Sequence, residues 1–334
     1  MNYIGSKLKL SSFIKETIHS VVGNDLSNKV FCDLFAGTGI VGRVFKKEVK
    51  QVISNDIEYY SYVLNKNYIG NHKKLVYSNL LSQLNNLNPA ANGFIYNNYC
   101  AGSNSGRQYF SDENGKKIDA IRKQIGVWFK NKSIGSNMYY FLLSSLLEAV
   151  DKVANTASVY GAFLKKLKRT ALKELILEPA IFELNDNKHR VYQKDSNVLI
   201  NHISGGILYL DPPYNSRQYG ANYHLLNTVA EYSDFVPQGK TGLRNYVRSN
   251  YCIASKVKEN FEDIIKKAKF KYTFLSYNNE GLMSISDIKK IMNKYGKYDM
   301  FKQKYQRFKA DKTENRNHKS DHTFEYLHIL EKNI

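Results

Sequence analysis

The stretch from Lys29 to Gly42 constrains this chain more than any other. Val30 to Phe35 is an apolar run of strand length carrying a carboxylate, Asp33, near its end, and Ala36-Gly37-Thr38-Gly39 then leads into a helix-forming segment from Ile40. A buried strand, a glycine turn and a helix make one β-turn-α unit. Gln51 to Asp56 repeats the device, followed by a tyrosine-rich helical segment from Ile57 to Tyr68. Alternation of this kind predicts an α/β fold with a parallel, doubly wound sheet.

The alternation stops between Gly93 and Asn185. That region opens with turn-rich sequence from Ala101 to Gly115 and continues with helical patterns at Lys117–Lys130, Met138–Val153 and Lys165–Leu177. Strand-like segments resume at Arg190–Lys194, Gly206–Leu210, Lys271–Ser276 and Thr323–Leu330. The expected organisation is one discontinuous α/β domain, 1–92 with 186–334, interrupted by a mainly helical insertion at 93–185.

The glycine turn is suited to a nucleotide-like ligand, because two glycines let the backbone approach closely and the helix start behind them favours polar groups. Gly37, Gly39 and Gly42 also spell the GxGxxG of a dinucleotide site, with Asp56 placed to hold a ribose. A ligand-free tight turn is the plainer alternative. Two residues favour S-adenosylmethionine: Asp33 would suit an ammonium and sit awkwardly beside a pyrophosphate, and Asp56 could accept both ribose hydroxyls.

Leu208 to Tyr214 is an apolar strand running into Asp211-Pro212-Pro213-Tyr214. Two prolines fix the backbone and remove N–H donors, leaving carbonyl acceptors beside a carboxylate. The natural guest is an amine with two hydrogens, such as the N6 amine of adenine, held by Asp211 and the Pro212 carbonyl while Tyr214 stacks on the base. Such a base must first leave the duplex. The bland reading is a rigid strand terminator. Methylation at cytosine C5 would need a cysteine nucleophile, and none of Cys32, Cys100 and Cys252 follows a proline. N4-cytosine transfer stays open, since it also targets an exocyclic amine.

Forty-nine basic against 30 acidic side chains give a formal charge of +19, which suits a polyanion such as DNA. The excess is mostly lysine, which an AT-rich genome also encodes. Three scattered cysteines support neither a disulfide framework nor a thiolate metal site. The first ten residues lack an apolar core of signal-peptide type, and Met138 to Val150 is too short to span a bilayer; a cytoplasmic protein is expected. His318 and His322, without further ligands, read as a polar loop, so no metal is expected.

Tyr3-Ile-Gly-Ser-Lys7, Asp33 to Gly39, Asn55-Asp56, Asp195 and Asp211 to Tyr214 together resemble the ordered motifs of the alpha-class, Dam-like (D12) N6-adenine DNA methyltransferases. The likeness covers nearly the whole chain. Asn215 to Tyr219, Asn222 to Leu226, Phe274 to Asn278 and the segment from Asn315 to Leu330 are similar to the subgroup found in restriction-modification systems. The resemblance implies a Rossmann-like S-adenosylmethionine-dependent methyltransferase fold whose inserted lobe recognises the target. It implies that Tyr3 and Lys7 help close the cofactor pocket, that Asp33, Phe35, Ala36, Gly37, Thr38 and Gly39 hold the methionine part, Asp56 and Ile57 the ribose side, and Asp195 with Ser196 the adenine. It implies site-specific adenine N6-methylation of double-stranded DNA by a monomer, with a restriction endonuclease as a separate partner; RNA adenine methylation is the alternative. Candidate DNA contacts are Arg107 with Tyr109 and Phe110, the Lys165-Lys166-Lys168-Arg169 run, Arg217, and Lys240 with Arg244 and Arg248; each could equally be a solvated face.

Overall fold

The computed structural model describes residues 7–306 and 322–333. The chain divides into two compact units. One comprises the segments up to Asn65, Asn185–Gln218 and from Arg248 onward; the other comprises Lys66–Leu184 with Tyr219–Val247.

The first unit is built on seven strands: β1 (Val30–Asp33), β2 (Gln51–Asn55), β3 (Arg190–Tyr192), β4 (Ser204–Leu210), β5 (Lys269–Asn278), β6 (Lys297–Gln306) and β7 (His322–Glu331). Their order across the sheet is β3-β2-β1-β4-β5-β7-β6. The pairs from β3 to β5 are parallel, and β7 runs antiparallel to both β5 and β6. This is the α/β, Rossmann-like arrangement that the resemblance implies, parallel from β3 to β5 as the alternation predicts and antiparallel where β7 enters, which makes the sheet mixed. β1 is central and buried on both faces. Cys32 and Leu34 join one core with Leu208, Leu210, Phe261, Ile264 and Leu275, and Phe31 stacks on Phe45 at 4.4 Å on the other.

The strand expected at Lys271–Ser276 is longer, and β6 has no counterpart in the sequence reading. Its sequence, KYDMFKQKYQ, carries charged residues throughout and sits at the sheet edge, where Lys297, Lys302 and Lys304 are exposed. An edge strand buries too little for a clean alternation, and lysines there block further pairing. The helix expected from Ile57 begins at Tyr59 and runs to Asn65, and a π-helical turn, Lys66–Gly70, follows.

The second unit is helical, with long helices at Asp112–Lys130 and Ser136–Val153, and it is wider than 93–185. Tyr77 lies 4.7 Å from Phe141 between ring centroids. Arg122 donates to the carbonyls of Val229, Ala230 and Glu231 at the end of the helix His224–Glu231, so segments on either side of the expected insertion share its core. The helix expected over Lys165–Leu177 does not form. Asn114 donates to the carbonyls of Ala171 and Lys173 and accepts from the Leu175 N–H, while Asn85 exchanges two bonds with Leu177. Side-chain amides thus satisfy backbone groups that a helix would have paired internally. Among the described residues no helix is long and apolar enough to cross a membrane.

Candidate active site

Strand order brings three aspartates together. β1 lies between β2 and β4, so the residues leaving the carboxyl ends of all three lie together at one edge of the sheet, the side on which open α/β sheets bind ligands. Asp33 ends β1 opposite Tyr209 of β4, Asp56 follows β2, and Asp211 follows β4.

The glycine turn is held from beneath. Gly37 and Gly39 have φ of 52° and 76°, in the left-handed region that a side chain disfavours, and a Cβ on Gly39 would lie 2.6 Å from Asn65 Oδ1. That amide is itself fixed, since its oxygen accepts from Ser54 Oγ and its nitrogen, with Ser61 Oγ, donates to the Gly37 carbonyl. From above, Asp56 accepts from the Gly37 N–H at 2.8 Å and from the Glu58 N–H at 3.0 Å. Asp56 therefore shapes the loop through the same carboxylate expected to meet a ribose.

Asp33 is 1% exposed. One oxygen accepts from the Gly42 N–H at 3.3 Å, and the other has no hydrogen-bond partner. Burial, with the nearby Asp211 charge adding to it, pushes this carboxyl up to about 8. A buried carboxylate oxygen lacking a partner is costly, and a ligand ammonium would supply the missing donor. The residues thus fit the methionine end of S-adenosylmethionine. Thr38 and Ile57 are partly buried beside the turn. Further along, Phe35 meets Tyr251 edge to face at 4.9 Å, and the Tyr251 hydroxyl donates to Asn197 Oδ1. Ser196 donates to the Leu34 carbonyl at 3.4 Å, while Asp195 is exposed and caps the short helix Ser196–Leu199.

At the end of β4, Pro212 is buried and Pro213 and Tyr214 are partly buried. The Tyr214 carbonyl accepts from the Leu282 N–H at 2.9 Å, and its ring stands edge-on to Tyr277 at 5.8 Å. Lys7, which the resemblance assigned to the cofactor pocket, lies with Nζ 2.8 Å from Asp211 Oδ1 and 3.4 Å from Glu325 Oε1, and 5.6 Å from the Tyr214 ring centroid. Burial opposes the charge on Lys7, yet the two carboxylates outweigh it and hold its ammonium well above the usual lysine range. Burial pushes the Asp211 carboxyl up to about 6; Lys7 works against this and Glu325 reinforces it. Asp211 is therefore ionised at neutral pH, with its side chain 17% exposed. Tyr3 lies outside the described residues, as does His318, and the His322 side chain is not described.

The candidate DNA contacts separate into two kinds. Tyr109 is a core residue and not a surface contact: it is fully buried and its hydroxyl donates to the Tyr160 carbonyl at 2.7 Å. Phe110 is buried as well. Arg107 directs its guanidinium at the carbonyls of Asn98, Gly239 and Lys240, and Arg244 is ion-paired with Glu231; both brace their own chain. Lys168 donates to the Thr156 carbonyl at 2.7 Å. Arg217, Lys240 and Arg248 are exposed, as are Lys165, Lys166 and Arg169.

Glu325, Asn65 and Tyr251 went unnoticed in the sequence. Glu325 lies in the apolar run Phe324 to Leu330, where a single acidic residue facing inward on a strand is the signal that could have exposed it.

Residues 3–294 match the family described as D12 class N6 adenine-specific DNA methyltransferase. The sequence is 65% identical to the Type II methyltransferase M.NlaIII of Neisseria lactamica, covering 99% of both chains. It is 37% identical to the Type II methyltransferase M.CviAII of Paramecium bursaria Chlorella virus 1 over 93% of both chains. It is also similar to M.FokI of Planomicrobium okeanokoites, at 38% identity, where this whole chain corresponds to 53% of that protein.

Proposed function

This chain belongs to the D12 class of N6 adenine-specific DNA methyltransferases, and from that membership we propose how its residues divide the work. Membership decides between the adenine N6 and cytosine N4 amines that the motifs alone left open. The donor we assign is S-adenosylmethionine, which when bound supplies a methyl group made electrophilic by the sulfonium. Asp33 holds the donor's ammonium, Asp56 its ribose, and Asp195 with Ser196 its adenine.

Asp211 and the Pro212 carbonyl accept the two hydrogens of the target amine. The amine lone pair is delocalised into the purine ring, and two acceptors draw it toward the tetrahedral geometry that attack requires. Tyr214 provides a face for the base, worth about 1–3 kcal/mol by comparison with single-strand binding proteins. No covalent bond to the enzyme is needed, so catalysis consists of positioning and electrostatic complementarity. The observation that carries this reading is the Asp211 carboxylate, ion-paired with a buried lysine at 2.8 Å and one strand away from Asp33, whose second oxygen lacks a donor.

The names of the relatives, Type II methyltransferases, support a role as the modification enzyme of a restriction-modification system, beside a separate endonuclease; to this reading we add, as our own assignment, a monomer acting on double-stranded DNA in the cytoplasm. Arg217, Lys240 and Arg248 are the assigned DNA contacts, because their side chains are exposed. The test is labelled methyl transfer to duplex DNA by the wild type and by Asp211→Ala, with donor binding followed by calorimetry. The variant should bind donor and transfer nothing; retained transfer refutes the assignment of the acceptor.

A further inference from the structure

Asp211 does not stand alone with its lysine. Glu325 of β7 reaches the same ammonium from the far side of β5, where it is paired across the sheet with Asn278. Lys7 and Glu325 are each 5% exposed, and Nζ lies 2.8 Å from one carboxylate and 3.4 Å from the other. Among the described residues one buried cation thus meets two buried carboxylates, and the three groups together carry net negative charge in a desolvated place. A pair of opposite charges would have been the cheaper solution. The surplus needs an explanation, and the target amine gives one.

We propose that Glu325 is a positioning residue for methyl transfer, drawing part of the Lys7 charge to itself so that Asp211 faces the target amine as a strong, undivided acceptor. The inference rests on the assignment of Asp211 made above. Were Lys7 paired with Asp211 alone, its ammonium would neutralise the very oxygen charge that must polarise the substrate N–H bonds. With Glu325 sharing the cation, Lys7 still fixes the Asp211 carboxylate in place without cancelling it. Other titratable groups face this cluster: Tyr209 on β4 and Tyr214 beyond it face Lys7, and Asp33 at the end of β1 interacts with both Lys7 and Asp211. Tyr209 donates to Ser276 Oγ, and burial pushes its hydroxyl well above the usual tyrosine range, so it stays neutral across the working range.

A positioning role has a signature that a structural role lacks. Transfer requires ionised Asp211, so the single-turnover rate falls as pH drops through the Asp211 pKa, which produces an acid limb. Glu325 is a like charge that raises that pKa. Removing it in Glu325→Gln should therefore move the limb to lower pH while reducing the plateau rate. The expected reduction is roughly tenfold, below the ~10²–10³-fold that loss of a direct contact to a reacting group costs.

The experiment is single-turnover methylation of a saturating duplex from pH 5 to 9 by wild type, Glu325→Gln and Glu325→Asp, with donor affinity measured in parallel. The shorter carboxylate of Glu325→Asp sits farther from Lys7, and its limb should fall between the other two. If Glu325→Gln does not fold, a limb below that of wild type in Glu325→Asp carries the test. A limb unmoved or moved upward, or a plateau rate equal to wild type, overturns the proposal. Failure of the wild type to methylate adenine would instead overturn the assignment of Asp211.

Discussion

Donor binding should release a proton, and the amount follows from Asp33. Its carboxyl is pushed up to about 8 by burial, so at pH 7 only roughly one molecule in ten carries the charge that would pair with a ligand ammonium. The donor's amino group titrates near 8 as well, which means that both partners are protonated below pH 7 while the bound pair holds a single proton. Close to one proton is then released on binding at pH 6.5. By linkage, affinity should fall roughly tenfold for each unit of pH below 7, reach its maximum near pH 8, and decline again as the amine loses its proton. Calorimetry in buffers of different ionisation enthalpy reads the proton directly. Asp33→Asn, which cannot ionise, should bind weakly and lose the acid-side slope. An affinity that is flat from pH 6 to 8, with no buffer dependence of the enthalpy, would refute the pairing of Asp33 with an ammonium.

Gly39→Ala should weaken donor binding and lower the melting temperature, because it adds a left-handed cost of about 1–2 kcal/mol to a Cβ placed 2.6 Å from an Asn65 oxygen that Ser54 holds still; unchanged calorimetric affinity would mean that the turn is not part of the pocket. Arg217→Ala and Tyr109→Phe should part company in two assays. The exposed arginine should flatten the dependence of DNA affinity on salt by about one unit of log–log slope, whereas loss of the buried Tyr109 hydroxyl should cost about 1 kcal/mol of stability and leave that slope alone. The opposite pattern would return Tyr109 to the DNA surface.

What could be read from the chain in advance was whatever depends on neighbours in sequence. Asp33 to Gly39 and Asp211 to Tyr214 are continuous, each strand, carboxylate and turn lying within a few residues, so their positions at the ends of β1 and β4 followed from local pattern and known crossover rules. Features that depend on distant partners were hidden. The Lys165–Leu177 segment has helical periodicity, but Asn85 and Asn114, far away in sequence, take its backbone groups. Arg107 and Arg244 carry the charge expected of a DNA contact, yet carbonyls and Glu231 engage them. Composition records how many cations a chain has, not where they point. β6 was missed for a related reason, since an edge strand is defined by the strand beside it. Glu325 gains its meaning only from a lysine in the opening residues.

That last relation reaches into the biosynthesis of the enzyme. The acceptor is braced by one side chain that precedes β1 and another that lies on β7, with the Asp211 loop between them in the chain. A ribosome-bound fragment that has already closed β1, β2 and β4 would display the glycine turn, the proline loop and Lys7, but not the Glu325 carboxylate that shares the lysine's charge. The last adjustment of the acceptor therefore waits until β7 slots between β5 and β6.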